Sequence, residues 1–216
     1  TELSQRYHRC IREHLCRGKY SRQARPILLN SWEAAYFSFN GETILKLARS
    51  AAELGIDMVV MDDGWFGKRD DDNSGLGDWH VNEEKLGCTL GELIQGVNDT
   101  GVKFGLWIEP EMVSENSELY RAHPDWAMRI PGRKPIRGRN QLMLDFSRED
   151  VRGFIFERIC DILDQGNIEY VKWDMNRSIA EVYSAVNYPG RVAYDYMLGV
   201  YDFLEKLLSR YPNLFI

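Results

Sequence analysis

Lys172, Asp174 and Asn176 occupy alternate positions of the stretch Tyr170-Val171-Lys172-Trp173-Asp174-Met175-Asn176-Arg177. Side chains of an extended strand alternate between its faces. The spacing therefore puts a cation, a carboxylate and an amide on one face, with Trp173 and Met175 on the other. Such groups are costly to bury unless they pair or meet a ligand. Taken alone, the pattern fits a structural Lys–Asp ion pair. It recurs along the chain, though. Trp32 follows Ile27-Leu28-Leu29, and Asp62, Asp63 and Trp65 follow an apolar run that ends at Met61. Trp107, Glu109 and Glu111 stand at the end of Lys103–Ile108, and Asp145 ends the run from Gln141. Brought to one mouth, these residues make a pocket of carboxylates and indoles. Aromatic faces stack on the C–H faces of sugar rings, and carboxylates accept hydrogen bonds from neighbouring hydroxyls. The set suits a carbohydrate better than a phosphate or a metal.

The metal reading fails on spacing. Asp62-Asp63 could ligate a divalent cation, but oxygen-ligand sites draw on more carboxylates at fixed intervals. Asp70-Asp71-Asp72-Asn73-Ser74-Gly75 opens like a calcium loop, yet its twelfth position is Val81, where a bidentate glutamate is required. It reads as a solvated acidic loop tip. His8, His14, His80 and His123 form no HxxxH pair, and Cys10, Cys16, Cys88 and Cys160 no CxxC. Neither a zinc site nor a disulfide framework is signalled, so no metal or cofactor is expected and a reducing, cytoplasmic setting is. A net charge of -6 with no long basic tract argues against nucleic acid. No signal-peptide pattern or membrane-length apolar run is present, so no membrane partner is expected.

The elements that must position these residues alternate. An amphipathic helix is predicted from Thr1 to Lys19, then a strand over Ile27-Leu28-Leu29 and a helix from Asn40-Gly41 to Gly55. Ile56 to Met61 reads as a strand, Thr89 to Thr100 as a helix, and Lys103 to Ile108 as a strand. A short helical piece around Glu118 to His123, a loop from Pro131 to Asn140 and a short strand from Gln141 to Asp145 follow. Ser147 is the expected N-cap of a helix from Arg148 to Leu163, with Asp150 near its positive end. After the opening stretch comes a helix from about Val192 to Ser209 and a strand that stops at Ile216. The strands do not alternate in polarity, which predicts that both faces are covered. Such a repeat argues for a parallel α/β sheet, either doubly wound or a (β/α)8 barrel. No Gly-rich turn follows the first strand, and polar groups gather at the C-terminal ends of the strands, which favours the barrel. Four or five strands cannot close one. A first residue that is Thr and a last apolar Leu214-Phe215-Ile216 read as a piece of something longer.

Four strings, in order and nearly spanning the chain, carry a resemblance. They are Asn30-Ser31-Trp32-Glu33-Ala34, Asp62-Asp63-Gly64-Trp65-Phe66-Gly67-Lys68-Arg69, Gly105-Leu106-Trp107-Ile108-Glu109-Pro110-Glu111-Met112-Val113 and Lys172-Trp173-Asp174-Met175-Asn176-Arg177. The chain resembles the α-galactosidases of glycoside hydrolase family 36. The resemblance implies a retaining hydrolase of terminal α-linked galactose in oligosaccharides such as melibiose and raffinose, with Asp174 as nucleophile. It implies that Asp62 and Asp63 bind the galactose C4 and C6 hydroxyls, and that Trp32 and Trp107 wall the pocket. Arg139, Lys172 and Asn176 are then expected at the substrate, and Trp65 is left outside the site. Residues 1–216 would be the N-terminal portion of a catalytic (β/α)8 barrel. The general acid/base, the remaining strands and flanking β-rich domains would lie beyond Ile216, and the full-length enzyme is expected to be a homo-oligomer. An α-N-acetylgalactosaminidase, a raffinose-type galactosyltransferase and a non-catalytic sugar-binding barrel remain alternatives on the same scaffold. A retained Asp174 speaks against the last.

Overall fold

The computed structural model describes residues 1–216. Helix α1 (Glu2–Cys10) is capped by the Thr1 hydroxyl and runs on as a π turn over Ile11–Leu15. It stops short of the predicted Lys19, since Cys16 is already extended (ψ 131°); Gly18 then turns the chain at φ 65°, where a Cβ would lie 2.9 Å from the Pro212 carbonyl. Strand β1 (Leu28–Asn30) leads into α2 (Trp32–Ala35), one helical turn that the sequence reading did not foresee. Helix α3 (Gly41–Glu53) begins where expected, because Asn40 and Thr43 close a reciprocal capping box. It buries Ile44, Ala48 and Ala51, one stripe at helical spacing. Strand β2 (Met58–Met61) starts two residues later than predicted; Asp57 is occupied in accepting the Ile27 amide through its side chain.

Short α4 (Glu83–Leu86) precedes α5 (Leu90–Asn98), whose Thr89–Glu92 capping box fixes its start. Strand β3 (Lys103–Ile108) passes into β4 (Met112–Val113), followed by α6 (Glu118–Ala122) and β5 (Leu142–Met143). Helix α7 (Glu149–Leu163), β6 (Ile168–Trp173) and α8 (Val192–Arg210) complete the order. No helix is long and apolar enough to cross a membrane.

Strands β1, β2, β3 and β6 form one sheet in that order, all parallel. Their C-terminal ends therefore share one edge. That placement is what gathers Trp32, Asp62, Trp107 and Asp174, each at or just beyond the end of a strand. Gly105 allows β3 and β6 to come close, since a Cβ there would lie 2.8 Å from the Tyr170 ring. Phe215 makes a parallel bridge to Tyr170, with Val171 N donating to its carbonyl at 2.8 Å. This agrees with the strand expected near Ile216.

Three expectations need correction. Gln141–Asp145 adds no strand to the parallel sheet: β3 pairs directly with β6, leaving no slot, and β5 pairs antiparallel with β4. Ser147 does not cap α7, because its hydroxyl donates to Asp145 at 2.5 Å; Arg148 stands at the cap and its guanidinium grips Asp125 and Asp150. Only the inner strands β2 and β3 are buried nearly throughout, whereas β1 and β6 are partly open because they are the outer strands.

Candidate active site

At the C-terminal edge of the sheet lies a cavity of about 180 Å³, lined by Trp32, Asp62, Asp63, Trp107, Arg139, Lys172, Asp174 and Asn176. These are the eight residues singled out from the sequence, and they come from four strand ends and one loop.

Asp62 and Asp63 follow β2 and are both buried. The Ser31 hydroxyl receives the Asp62 amide at 3.0 Å, which ties the end of β2 to the end of β1. Asp62 Oδ2 accepts from Asn30 Nδ2 at 2.6 Å and from Lys172 Nζ at 2.9 Å, so the lysine pairs across the sheet and not with Asp174. Arg69 forks onto Asp63, with Nε 3.0 Å from Oδ1 and Nη2 2.7 Å from Oδ2. Burial drives the Asp63 carboxyl up, although Arg69 opposes it. Each carboxylate oxygen has two lone pairs, so both aspartates keep acceptor capacity for hydroxyls.

Asp174 directly follows β6. Its Oδ2 accepts from Trp107 Nε1 and from Asn176 Nδ2, each at 2.9 Å, and its Oδ1 accepts from the Met175 amide at 3.0 Å. Burial opposes ionisation here, but these three hydrogen bonds and the charge of Lys172 outweigh it and hold the carboxyl below the usual aspartate range. Asp174 is thus a carboxylate at neutral pH, with spare capacity on Oδ1.

The two cavity tryptophans differ. Trp32 is half-buried, set edge-on against Tyr36 and Phe37. Trp107 is only 1% exposed, lies parallel to Phe66 and meets the cavity chiefly through its N–H. Trp65 is wholly buried and donates to the Trp107 carbonyl at 2.9 Å; it belongs to the core, in keeping with its omission. Arg139 is exposed, adopts a left-handed backbone (φ 52°) and reaches Asn176 Oδ1 at 3.4 Å.

Sequence reasoning missed the residues that hold this set in place. Asn30 and Arg69 lie inside the quoted strings, but nothing in their spacing says that they grip Asp62 and Asp63. Glu109 and Glu111 are acid candidates by charge alone in the sequence, and the resemblance makes Glu109-Pro110-Glu111 a segment that shapes the pocket, without saying what either glutamate holds. Glu111 accepts from Trp173 Nε1 at 2.9 Å and from the Tyr196 hydroxyl, behind the cavity. Neither glutamate lines it.

Comparison with known proteins places this geometry. The family profile described as Melibiase matches residues 1–216. The bifunctional alpha-galactosidase/sucrose kinase AgaSK of Mediterraneibacter gnavus is 66% identical over 214 residues, which cover 99% of this chain and 22% of that protein. Alpha-galactosidase AgaA of Geobacillus stearothermophilus is 54% identical, covering 98% of this chain and 30% of that protein. The crystal structure of a GH36 AgaA variant in complex with raffinose superposes with a TM-score of 0.94 at 53% identity, again over 98% of this chain and 30% of that one. The chain therefore spans under a third of the length of these relatives. Matched along all of its residues, and sharing their α/β fold with its parallel sheet, it belongs to the melibiase family of glycoside hydrolase family 36.

Proposed function

We propose that this chain carries the nucleophile and the galactose pocket of a retaining α-galactosidase that acts on oligosaccharides such as melibiose and raffinose. Residues 1–216 are, on this reading, the N-terminal portion of a (β/α)8 barrel in a longer enzyme. The observation that carries the proposal is Asp174: an ionised carboxylate in the cavity, braced on Oδ2 by two side chains and keeping a lone pair on Oδ1 beside the Met175 amide. A nucleophilic carboxylate must be charged, oriented and accessible, and this one is all three. The relatives named as α-galactosidases, one of them solved with raffinose, support the substrate class.

In the first step Asp174 Oδ1 forms a bond to the anomeric carbon as the bond from that carbon to the leaving oxygen breaks, and that oxygen takes a proton from a second carboxyl. Water then gives a proton back to that second carboxylate as it attacks the same carbon, and the bond to Asp174 breaks. Asp62 and Asp63 accept the C4 and C6 hydroxyls, Lys172, Asn176 and Arg139 contact ring hydroxyls, and Trp32 and Trp107 bound the sugar. The proton donor is a separate matter. Lys172 and Asn30 hold Asp62, Arg69 holds Asp63, and Glu109 is outside the cavity. We assign the acid/base to a part of the full-length enzyme outside these residues.

The test is substitution in that enzyme. Asp174→Gly should abolish turnover of raffinose, and azide filling the vacated space should restore product of inverted configuration. Undiminished turnover by Asp174→Gly would exclude this carboxylate as the nucleophile.

A further inference from the structure

Glu109 directly follows β3, is 1% exposed and joins three segments. Its Oε1 accepts from the Asn176 backbone amide at 2.5 Å and from Gln141 Nε2 at 2.8 Å. Its Oε2 is buried and has no partner. Asn176 is the hub of the cavity, because its Nδ2 donates to Asp174 and its Oδ1 accepts from Arg139. Gln141 is buried too, and its carbonyl accepts from Arg177 Nη1 at 2.7 Å. One carboxyl oxygen thus ties the end of β3 to the residues after β6 and to the loop that carries Arg139.

We propose that Glu109 is a positioning residue: clamping the Asn176 amide and Gln141, it holds the Asn176 side chain against Asp174 and so sets the reactivity of that carboxylate. The inference rests on the α-galactosidase reading and extends it. The chemistry asks Glu109 to accept two hydrogen bonds and does not ask it to be charged. An ionised carboxylate buried with a bare oxygen is a costly neighbour for Asp174, and a neutral group there serves better. Burial, with the Asp174 charge adding to it, moves Glu109 above the usual glutamate range, in the same sense. Two neighbouring carboxyls are driven apart, one toward each protonation state.

This sets an unusual order among conservative variants of the full-length enzyme. Glu109→Gln keeps the accepting oxygen and the length, so kcat on raffinose should stay within about threefold of the parent. Glu109→Asp keeps the carboxyl but withdraws its oxygen from Asn176, so kcat should fall by ten-fold or more with KM little changed. The loss should be equal on raffinose and on an aryl α-galactoside, whose leaving group needs no proton. In an Asn176→Ala background, Glu109→Asp should cost little further, because the side chain through which it acts is gone.

The reverse order, with Asp active and Gln inactive, would overturn the proposal by showing that charge or proton donation matters. So would a Gln variant that fails on raffinose alone, since that marks a proton donor. Parent-like activity in both variants would overturn it by showing that the clamp is dispensable, and a fully additive loss in the Asn176→Ala background by severing Glu109 from Asn176. A parent enzyme inactive on every α-galactoside would instead refute the activity reading. In that event the clamp is read from Asn176 amide exchange, which should speed up in the Asp variant and not in the Gln variant; equal exchange in both would refute it as well.

Discussion

Asp63 and Arg69 form a buried ion pair, with side chains 9% and 3% exposed. Removing one partner leaves a buried charge uncompensated, so Arg69→Met should destabilise the protein by roughly 3–5 kcal/mol, read as a lowered midpoint in urea. Arg69→Lys should recover only part of this, since lysine lacks the fork that reaches both oxygens. Asp62→Asn and Asp63→Asn should each weaken galactose recognition by roughly 1.5–3 kcal/mol, the worth of a hydrogen bond to a charged group, measured as kcat/KM on galactosides against glucosides. Glu109 has a pH signature of its own. Its folded-state carboxyl titrates above the unfolded value, so its contribution to stability is full below the unfolded pKa and is lost as pH rises through the folded one. The stability of Glu109→Gln relative to the parent should therefore rise as pH climbs from the ordinary glutamate range through the raised folded value, and never fall; thermal midpoints over that climb check the sign. Seven of the eight cavity residues were legible because strand ends of a parallel sheet must share an edge; Arg139, on a loop, came only from the family resemblance. Their supports were not. Whether Lys172 pairs with Asp174, two residues away, or with Asp62, on another strand, depends on strand neighbours that local spacing does not encode.

At the scale of elements, local chemistry decided the starts of helices. Asn40 and Thr89 each close a capping box, and α3 and α5 begin where the sequence said. Replacing Thr89 by Ala should cost about 1 kcal/mol, seen as faster amide exchange in the first turn of α5. Ser147 failed as a cap because Asp145, two residues back, competes for the same hydroxyl. The strand over Gln141–Asp145 was legible as β5, but its pairing with β4 was not: a two-residue strand carries no period, and the partners Met112 and Met143, Val113 and Leu142 lie far apart in the chain. Gly199 in α8 shows tertiary structure overriding propensity. Gly→Ala inside a helix ordinarily gains up to roughly 1 kcal/mol, but here a Cβ would lie 2.0 Å from the Phe146 carbonyl and 3.0 Å from Arg152. Gly199→Ala should lower the thermal midpoint, and a raised one would mean that α8 has room to move off the 146–152 segment.

At the scale of the molecule, the sheet has two unfinished edges. β1 exposes Ile27 and Leu28 beside it, and β6 meets only the short bridge to Phe215. Open edges and exposed apolar side chains invite association. The 216-residue chain on its own should therefore run as oligomers in light scattering and show no turnover of melibiose, whereas the full-length enzyme should turn it over. The parallel direction of β1, β2, β3 and β6 and their shared edge were readable from the sequence, because apolar strands of this kind take helical crossovers. The four strands make an open parallel sheet. The central claim is that Asp174 becomes covalently bonded to the sugar, and one measurement reaches it directly. The full-length enzyme is inactivated with a fluorinated galactosyl donor that forms the intermediate quickly and loses it slowly, then digested and sequenced by mass spectrometry. The adduct should sit on Asp174, in the peptide spanning Trp173–Asn176; an adduct on Asp62, Asp63 or Glu109, with Asp174 unmodified, would contradict the account.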